Sequence, residues 1–363
     1  MMKEINTSSG ALPLPAFFPD ATYAAVRAAS FREVEEAHLY GCEMNSYHLM
    51  TKPGAKQIKA LGGLHGFSGY RGVILTDSGG FQLYSLIREN AAYGEIRDKE
   101  IIFRPDGGRE KLTFTPEKCI QAQFQYGSDI MMALDMCTHP DDPYELQKRS
   151  VDLTVAWSAR CRAEFDKLAA QKKGGAKPLL FGIVQGGSDP DLRAECGRRL
   201  EEIGFDGYGF GGWPLGSDGA IRMDVLKMAA DAMPDHKIKY AMGLGRPEEI
   251  VRCTEIGYSL FDCVIPTREA RHQRLYVFAD GCGNADGVRR ADGKFYKFHY
   301  AMDDKHARDG RPVDETCDCE LCRNHSRAYL QHLFRVNDPN AMRLATAHNL
   351  RFYGRLMEYL RDA

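Results

Sequence analysis

Long hydrophobic runs are missing from these 363 residues. Apolar stretches such as Ile130–Leu134 and Leu179–Val184 stop far short of the roughly 20 residues a membrane-spanning helix needs, so no membrane partner is expected. Met1-Met2-Lys3-Glu4-Ile5-Asn6 carries no apolar core of a secretory leader, and a cytoplasmic location is expected. A charge excess is missing too: 48 Lys and Arg against 50 Asp and Glu leave −2. Whole-protein charge therefore cannot drive polyanion binding, although a local basic patch can. No internal repeat or low-complexity block stands out. What is present, 44% hydrophobic and 27% charged residues, suffices for one large domain or two average ones.

The charge is unevenly placed. The first 262 residues hold 31 basic and 36 acidic side chains, whereas the remainder holds 17 and 14 together with six of the eleven histidines. A nucleic-acid surface is therefore expected toward the C-terminal third. Eleven cysteines, odd in number and scattered apart from one cluster, read as reduced thiols with the cluster reserved for metal.

A looser rhythm runs along the chain: a short apolar or β-branched run, a polar or glycine residue at its end, then a helical stretch. Eight such runs end near Phe18, Ser46, Thr76, Leu134, Val184, Phe210, Met242 and Ile265. Helix starts lie between them, at Thr115-Pro116-Glu117 and Arg246-Pro247-Glu248-Glu249, each with proline in the first turn followed by acid. Eight strands alternating with helices in about 265 residues predict an α/β fold, a (β/α)8 barrel, with an open doubly wound sheet as the alternative. The barrel is expected over residues 11–280, with a small antiparallel insertion near 90–112. Residues 281–363 are expected to form a metal-binding, helical C-terminal region packed on the barrel, its last helix near Pro339–Leu360.

In such a barrel, function sits where the strands end. Those ends read Asp77-Ser78-Gly79-Gly80, Asp135-Met136-Cys137, Gln185-Gly186-Gly187, Gly211-Gly212-Trp213, Met242-Gly243 and Phe261-Asp262-Cys263. Asp77 precedes two glycines that let a ligand approach the backbone; the plainer alternative is a cap for the next helix. Asp262 lies between apolar residues, and an acid inside a strand is costly unless paired or used. Asp135 and Gln185 together offer the acceptors and donor that a purine edge requires, or merely orient their loops. Gly207–Gly212 contains G-x-G-x-x-G, but Trp213-Pro214 follow it without a helix start, which speaks against a dinucleotide loop. Gly212 is read instead as offering a bare N–H to a flat ligand. Arg268 and Arg271, just past Asp262, suit phosphate or base contacts; as a charge run they could equally be a solvated loop. Cys317, Cys319 and Cys322 imply a tetrahedral, structural zinc site needing one more ligand, with His325, His332 and His348 as candidates that spacing does not separate.

Taken in order, Thr76–Gln82, Ala133–Thr138, Gly182–Gly187, Phe261–Arg268 and the Cys-x-Cys-x2-Cys cluster resemble the tRNA-guanine transglycosylase family. The likeness runs from about Pro15 to Tyr353. It implies a zinc-containing (β/α)8 barrel that exchanges guanine in tRNA for a 7-deazaguanine, queuine or a precursor, by double displacement, and that forms homodimers. It implies Asp262 as nucleophile, Asp77 as acid/base, Asp135, Gln185 and Gly212 as readers of the base edge, and Phe81 and Met242 as the covers of its ring. The fourth zinc ligand implied is His348. Trp213-Pro214 and Ser217 stand where bacterial members carry small aliphatic residues and then a glutamate, and Ala270–Gln273 departs from the family's anticodon-reading segment. Those departures keep a DNA-acting relative as one alternative; a non-catalytic RNA-binding partner subunit is another, and a zinc hydrolase with an open coordination position a third.

Overall fold

The protein is described here from a computed structural model, which describes residues 2–105, 108, 111–172, 176–216, 219–291 and 293–362. All eight apolar runs are strands: β1 (Ala16–Pro19), β2 (Gly41–Met44), β3 (Val73–Thr76), β4 (Ile130–Met132), β5 (Leu179–Val184), β6 (Gly207–Phe210), β7 (Ile238–Ala241) and β8 (Leu260–Cys263). They pair in parallel, each with its neighbour in the series, and β8 returns to β1 with Asp262 opposite Phe18. The seam between β1 and β2 is closed just beyond β1 by the parallel bridge of Asp20 with Glu43 and by the Ala21 N–H donating to the Glu43 carbonyl at 2.7 Å. The barrel expected from the rhythm is the fold, and the open sheet is excluded by that ring of pairings.

Strand side chains alternate between the two faces, and this decides what fills the interior. Phe18, Val73, Leu75, Met132, Phe181, Ile183, Tyr240 and Leu260 pack there as one cluster, joined by Leu12 and Leu14. Leu12 belongs to an antiparallel N-terminal hairpin, Glu4–Thr7 with Gly10–Pro13. The opposite strand faces join a second cluster with the surrounding helices.

The glycines of β6 follow from the same alternation. Gly207, Gly209 and Gly211 all face inward, where a Cβ would lie 2.5 Å from the Phe181 ring, 2.8 Å from the Met242 sulfur and 2.6 Å from the Gln185 amide respectively. The G-x-G-x-x-G pattern is thus a packing solution, and the next helix begins only at Met223. Thr115 caps helix Pro116–Tyr126 through the Lys118 N–H, as its sequence indicates. Between β3 and β4 stands a three-stranded antiparallel sheet, Gly94–Ile96, Ile101–Phe103 and Leu112–Phe114. After β8 come the hairpin β9 (Arg274–Phe278) and β10 (Tyr296–Tyr300), and then helix Pro339–Arg361. That helix packs closely on the barrel: a Cβ on Gly354 would come within 1.8 Å of the Ala37 carbonyl oxygen. No helix among the described residues is long and apolar enough to cross a membrane.

Candidate active site and metal centre

Because the inward-facing position recurs every second residue, the last inward residues of the strands converge at one mouth of the barrel. They surround a cavity of about 480 Å³ whose lining includes Asp20, Glu43, Asp77, Asp135, Tyr240 and Asp262. Phe81, Gly212, Trp213 and Met242 complete its upper wall. Asp77 and Asp262, 185 positions apart, share this one cavity.

Asp77 does not cap the helix that follows; that helix starts from Gly79 in the left-handed region at φ 76°, which a glycine adopts freely. Its carboxylate instead accepts from the Ser46 backbone N–H at 2.6 Å and from the Asn45 amide at 2.7 Å. Burial pushes Asp77 up to about 7 against these donors, and the nearby Asp262 charge adds to the rise. A folded value above the unfolded one means that Asp77 favours folding fully below about pH 4 and loses that contribution as pH rises through about 7. Asp77→Asn, whose side chain does not titrate, is expected to exceed the wild type in stability by about 2–4 kcal/mol at pH 8 and to match it near pH 4. Urea unfolding at the two pH values checks this; a difference independent of pH refutes it.

Asp262 is held differently. Its Oδ1 accepts from the Tyr240 hydroxyl at 2.6 Å and from the Gly243 N–H at 2.7 Å. Oδ2 has no donor among the described residues. Burial raises this carboxyl to about 6, so at neutrality its ionised form still predominates, with one oxygen anchored and the other without a donor among the described residues. That is the form an attacking carboxylate requires.

Asp135 accepts from the Gln185 amide at 2.6 Å, and burial lifts it to about 6. Gln185 is fully buried and stands behind Asp135 rather than on the cavity wall; its Oε1 has no partner among the described residues. Gly212, at φ 101°, follows the β6 end. Phe81 and Trp213 are half-exposed neighbours with ring centroids 5.6 Å apart, and His139 lies 5.7 Å beyond Trp213. Pro214 and Leu215 enter a turn in which Leu215 bridges Ile221; Ser217 lies outside the described residues. Arg268 and Arg271 sit on helix Ile265–Arg271 and line no part of this cavity. Arg268 opens instead on a neighbouring groove with Arg246, His272, Arg274 and Tyr300, while Arg271 lies near enough to Asp20 to feel its charge.

Three residues of this site escape the reading of strand ends. Glu43 and Tyr240 are inward-facing members of strands, so alternation alone could have found them. Arg193 has no such signal. It is buried without a carboxylate partner among the described residues, donating instead to the carbonyls of Gly187 at 2.9 Å, Val184 at 2.5 Å and Gly211 at 2.9 Å. One guanidinium thereby ties the ends of β5 and β6 and fixes the backbone leading into Gly212. Burial lowers its pKa to about 10, leaving it charged at neutrality.

The cysteine cluster gathers as the sequence indicates. The ligand atoms of Cys317, Cys319, Cys322 and His348 all lie within 4.8 Å of one another, and His348 Nδ1 is 3.5 Å and 3.3 Å from the sulfurs of Cys319 and Cys322. The opposite ring nitrogen, Nε2, is 2.7 Å from the Tyr276 carbonyl. Donation of its proton there leaves Nδ1 as a lone-pair ligand, the usual outer support of a metal-bound imidazole. His325 stacks on Tyr329 instead, and neither it nor His332 joins the set. Three soft thiols and one imidazole can hold a metal ion, and all four positions of a tetrahedral ion are then filled by protein, which leaves no place for hydrolytic chemistry. Asn349, next to His348, donates to the carbonyls of Pro266 and Arg274, both at 3.0 Å, so the metal-bearing helix is tied to the helix that follows Asp262.

Against known proteins, residues 2–363 match the family model described as queuine tRNA-ribosyltransferase. A queuine tRNA-ribosyltransferase of Thermoanaerobacter sp. (strain X514) is 38% identical over 359 residues, 99% of this chain and 88% of that protein. Those of Pseudoalteromonas atlantica and Pseudoalteromonas translucida are 39% and 40% identical over 98% of the chain, and 88% and 87% of theirs.

Proposed function

The chain belongs to the queuine tRNA-ribosyltransferase family, a family of pentosyltransferases, and on that premise we propose that it replaces guanine in tRNA by a 7-deazaguanine through a ribosyl–enzyme ester on Asp262. The free Oδ2 of Asp262 attacks the ribose anomeric carbon; the C–N bond to guanine breaks and its electron pair leaves with the base. Asp77, carrying a proton, gives it to the departing guanine. The incoming base then surrenders its ring N–H proton to Asp77, and its nitrogen displaces Asp262. Two inversions restore the original anomeric configuration, which is why two carboxyl groups are required, as in retaining glycosidases. Asp135 and the Gly212 N–H read the base edge, with Gln185 holding Asp135 from behind, and Phe81 and Met242 cover its faces after the base has left its stack. Arg268 and Arg271 take the RNA backbone beside the cavity.

The observation that carries this reading is the pairing in one cavity of an anchored, half-free carboxylate with a second carboxyl that burial holds near neutrality. Burial raises both acids, Asp77 to about 7 and Asp262 to about 6, so near neutrality the pair can hold one proton, on Asp77, while Asp262 acts as the ionised partner. We propose zinc as the metal, because three thiolates and an imidazole suit it; its part is cross-linking, since the ligand set stands apart from the cavity. A homodimer in the cytoplasm belongs to the same proposal.

Incubation with labelled guanine and either unmodified tRNA or duplex DNA tests it. Label is expected in tRNA alone. Incorporation into DNA alone would move the chemistry to another polymer, and incorporation into neither would leave a binding subunit in place of an enzyme.

A further inference from the structure

Among the acids of the cavity, one has nothing to hold. Asp77, Asp262 and Asp135 each accept from protein donors, and Asp20 accepts from the Thr22 N–H and hydroxyl at 2.9 and 2.7 Å. Glu43 is 8% exposed, lines the cavity, and among the described residues no donor hydrogen-bonds to its carboxyl. The charges that act on it are those of Asp77, Asp262 and Asp20, which reinforce what burial already does, pushing its carboxyl well above the ordinary range.

Such a group is unfavourable for folding. The barrel does not need it, because inward-facing neighbours such as Phe18 and Leu75 are apolar. Nor does the seam need it: the bridge that closes the ring there uses Glu43 through its backbone. A missing donor at a buried, cavity-facing acceptor points to one that arrives with the ligand.

Position identifies that donor. Glu43 feels both Asp262 and Asp77, so it stands where the sugar lies if Asp262 attacks the anomeric carbon. On the same reading the N–H donors of the base are taken by Asp135, just beyond the end of β4. The remaining donors there are sugar hydroxyls, and the 2′-hydroxyl is carried by the carbon next to the one attacked. We infer that Glu43 accepts a hydrogen bond from the 2′-hydroxyl of the target nucleotide, so that the site selects ribose over deoxyribose; this rests on the reading of Asp262 given above. A bond donated by that hydroxyl to a carboxyl oxygen strengthens as positive charge builds on the sugar in the transition state, and the 2′-hydroxyl is what separates RNA from DNA at any one site.

The test is a cycle of enzyme and substrate changes, using guanine exchange on an anticodon stem–loop with guanosine or 2′-deoxyguanosine at the target. Wild-type exchange is expected to be about 10–100-fold slower on the deoxy substrate. Glu43→Met, similar in size and apolar, is expected to lose about 10–100-fold on the ribose substrate and nothing further on the deoxy one. Its melting temperature is expected to equal or exceed the wild type's, which a merely structural role for Glu43 does not allow. Glu43→Gln keeps an acceptor oxygen and is expected to retain most of the discrimination. Equal losses by Glu43→Met on both substrates, or a Gln variant no better than the Met one, overturn the inference. Exchange by the wild type on the ribose substrate is the control: its absence strikes the proposed function, whereas its presence with an additive cycle strikes only the role of Glu43.

Discussion

Asp262→Asn is expected to stop base exchange, lowering the rate at least about 10⁴-fold, while leaving the protein folded. The size of the loss follows from the role. General acid or base help is worth about 10²–10⁴-fold, but without a nucleophile the covalent route itself is gone, and a neutral amide does not replace an ionised carboxylate. The fold is expected to survive because an asparagine Oδ1 can still accept from the Tyr240 hydroxyl and the Gly243 N–H. Burial acts against the charged Asp262, so the melting temperature at pH 7–8 is expected to hold or rise. Two measurements check this: guanine exchange, and denaturing mass spectrometry of enzyme mixed with tRNA in the absence of free base. Wild type is expected to carry a ribonucleic-acid adduct, and the variant none. Exchange by the variant within tenfold of the wild type would sink the assignment and send the search for a nucleophile to the other acids of the cavity.

Stripping the metal, or replacing Cys319 by alanine, is expected to lower the melting temperature by at least about 10 °C. Apparent binding energies at such sites are on the order of 10–16 kcal/mol, comparable with the whole stability of an ordinary domain. Loss of even a few kcal/mol moves a chain of this size by several degrees. The ligands come from distant stretches, 317–322 on one side and helix Pro339–Arg361 on the other. Without the ion, what joins them nearby is Arg351, which reaches Asp318 at 2.6 Å, Arg343, which reaches Glu320 at 2.6 Å, the buried Arg355, which reaches Asp314 at 3.2 Å, and the apolar cluster that Leu321 shares with Leu344 and Ala345. The Arg343 pair is exposed enough to be worth little, and the remaining contacts do not replace a binding energy of that order. Since Asn349 ties the same helix to Pro266 and Tyr276, the disturbance is expected to reach the segment after Asp262, and exchange is expected to fail together with the fold. Elemental analysis should find one zinc per chain, and calorimetry of metal-free protein should show the shift. A stripped protein that melts with the loaded one would remove the structural role.

Much of the site could be read along the chain because the features concerned are local. A strand buries every second residue, so the inward face of each run, and hence Asp77, Gly211 and Asp262, follows from counting. Three cysteines within six residues announce a metal without any knowledge of the fold. The glycines of β6 were visible as a pattern, though their reason was not: they make room for Phe181, Met242 and Gln185, which come from other strands. Arg193 could not be found at all, since a carbonyl-binding arginine has no charged partner to betray it in sequence.

The eight strands, the residues that end them, the thiol cluster and the family motifs are legible along the chain, because alternation, turn chemistry and metal spacing act over a few residues. It took the closed fold to settle which oxygen of Asp262 is held, that Gln185 stands behind Asp135, and that Glu43 has no donor among the described residues, whereas the meeting of His348 with the thiols was already implied by the family resemblance. Those outcomes depend on closing the ring, which brings residues 20, 43, 77 and 262 around one cavity, and on the last helix folding back beside it. Contacts of that kind are set by how whole elements pack, and packing joins positions that no local rule connects.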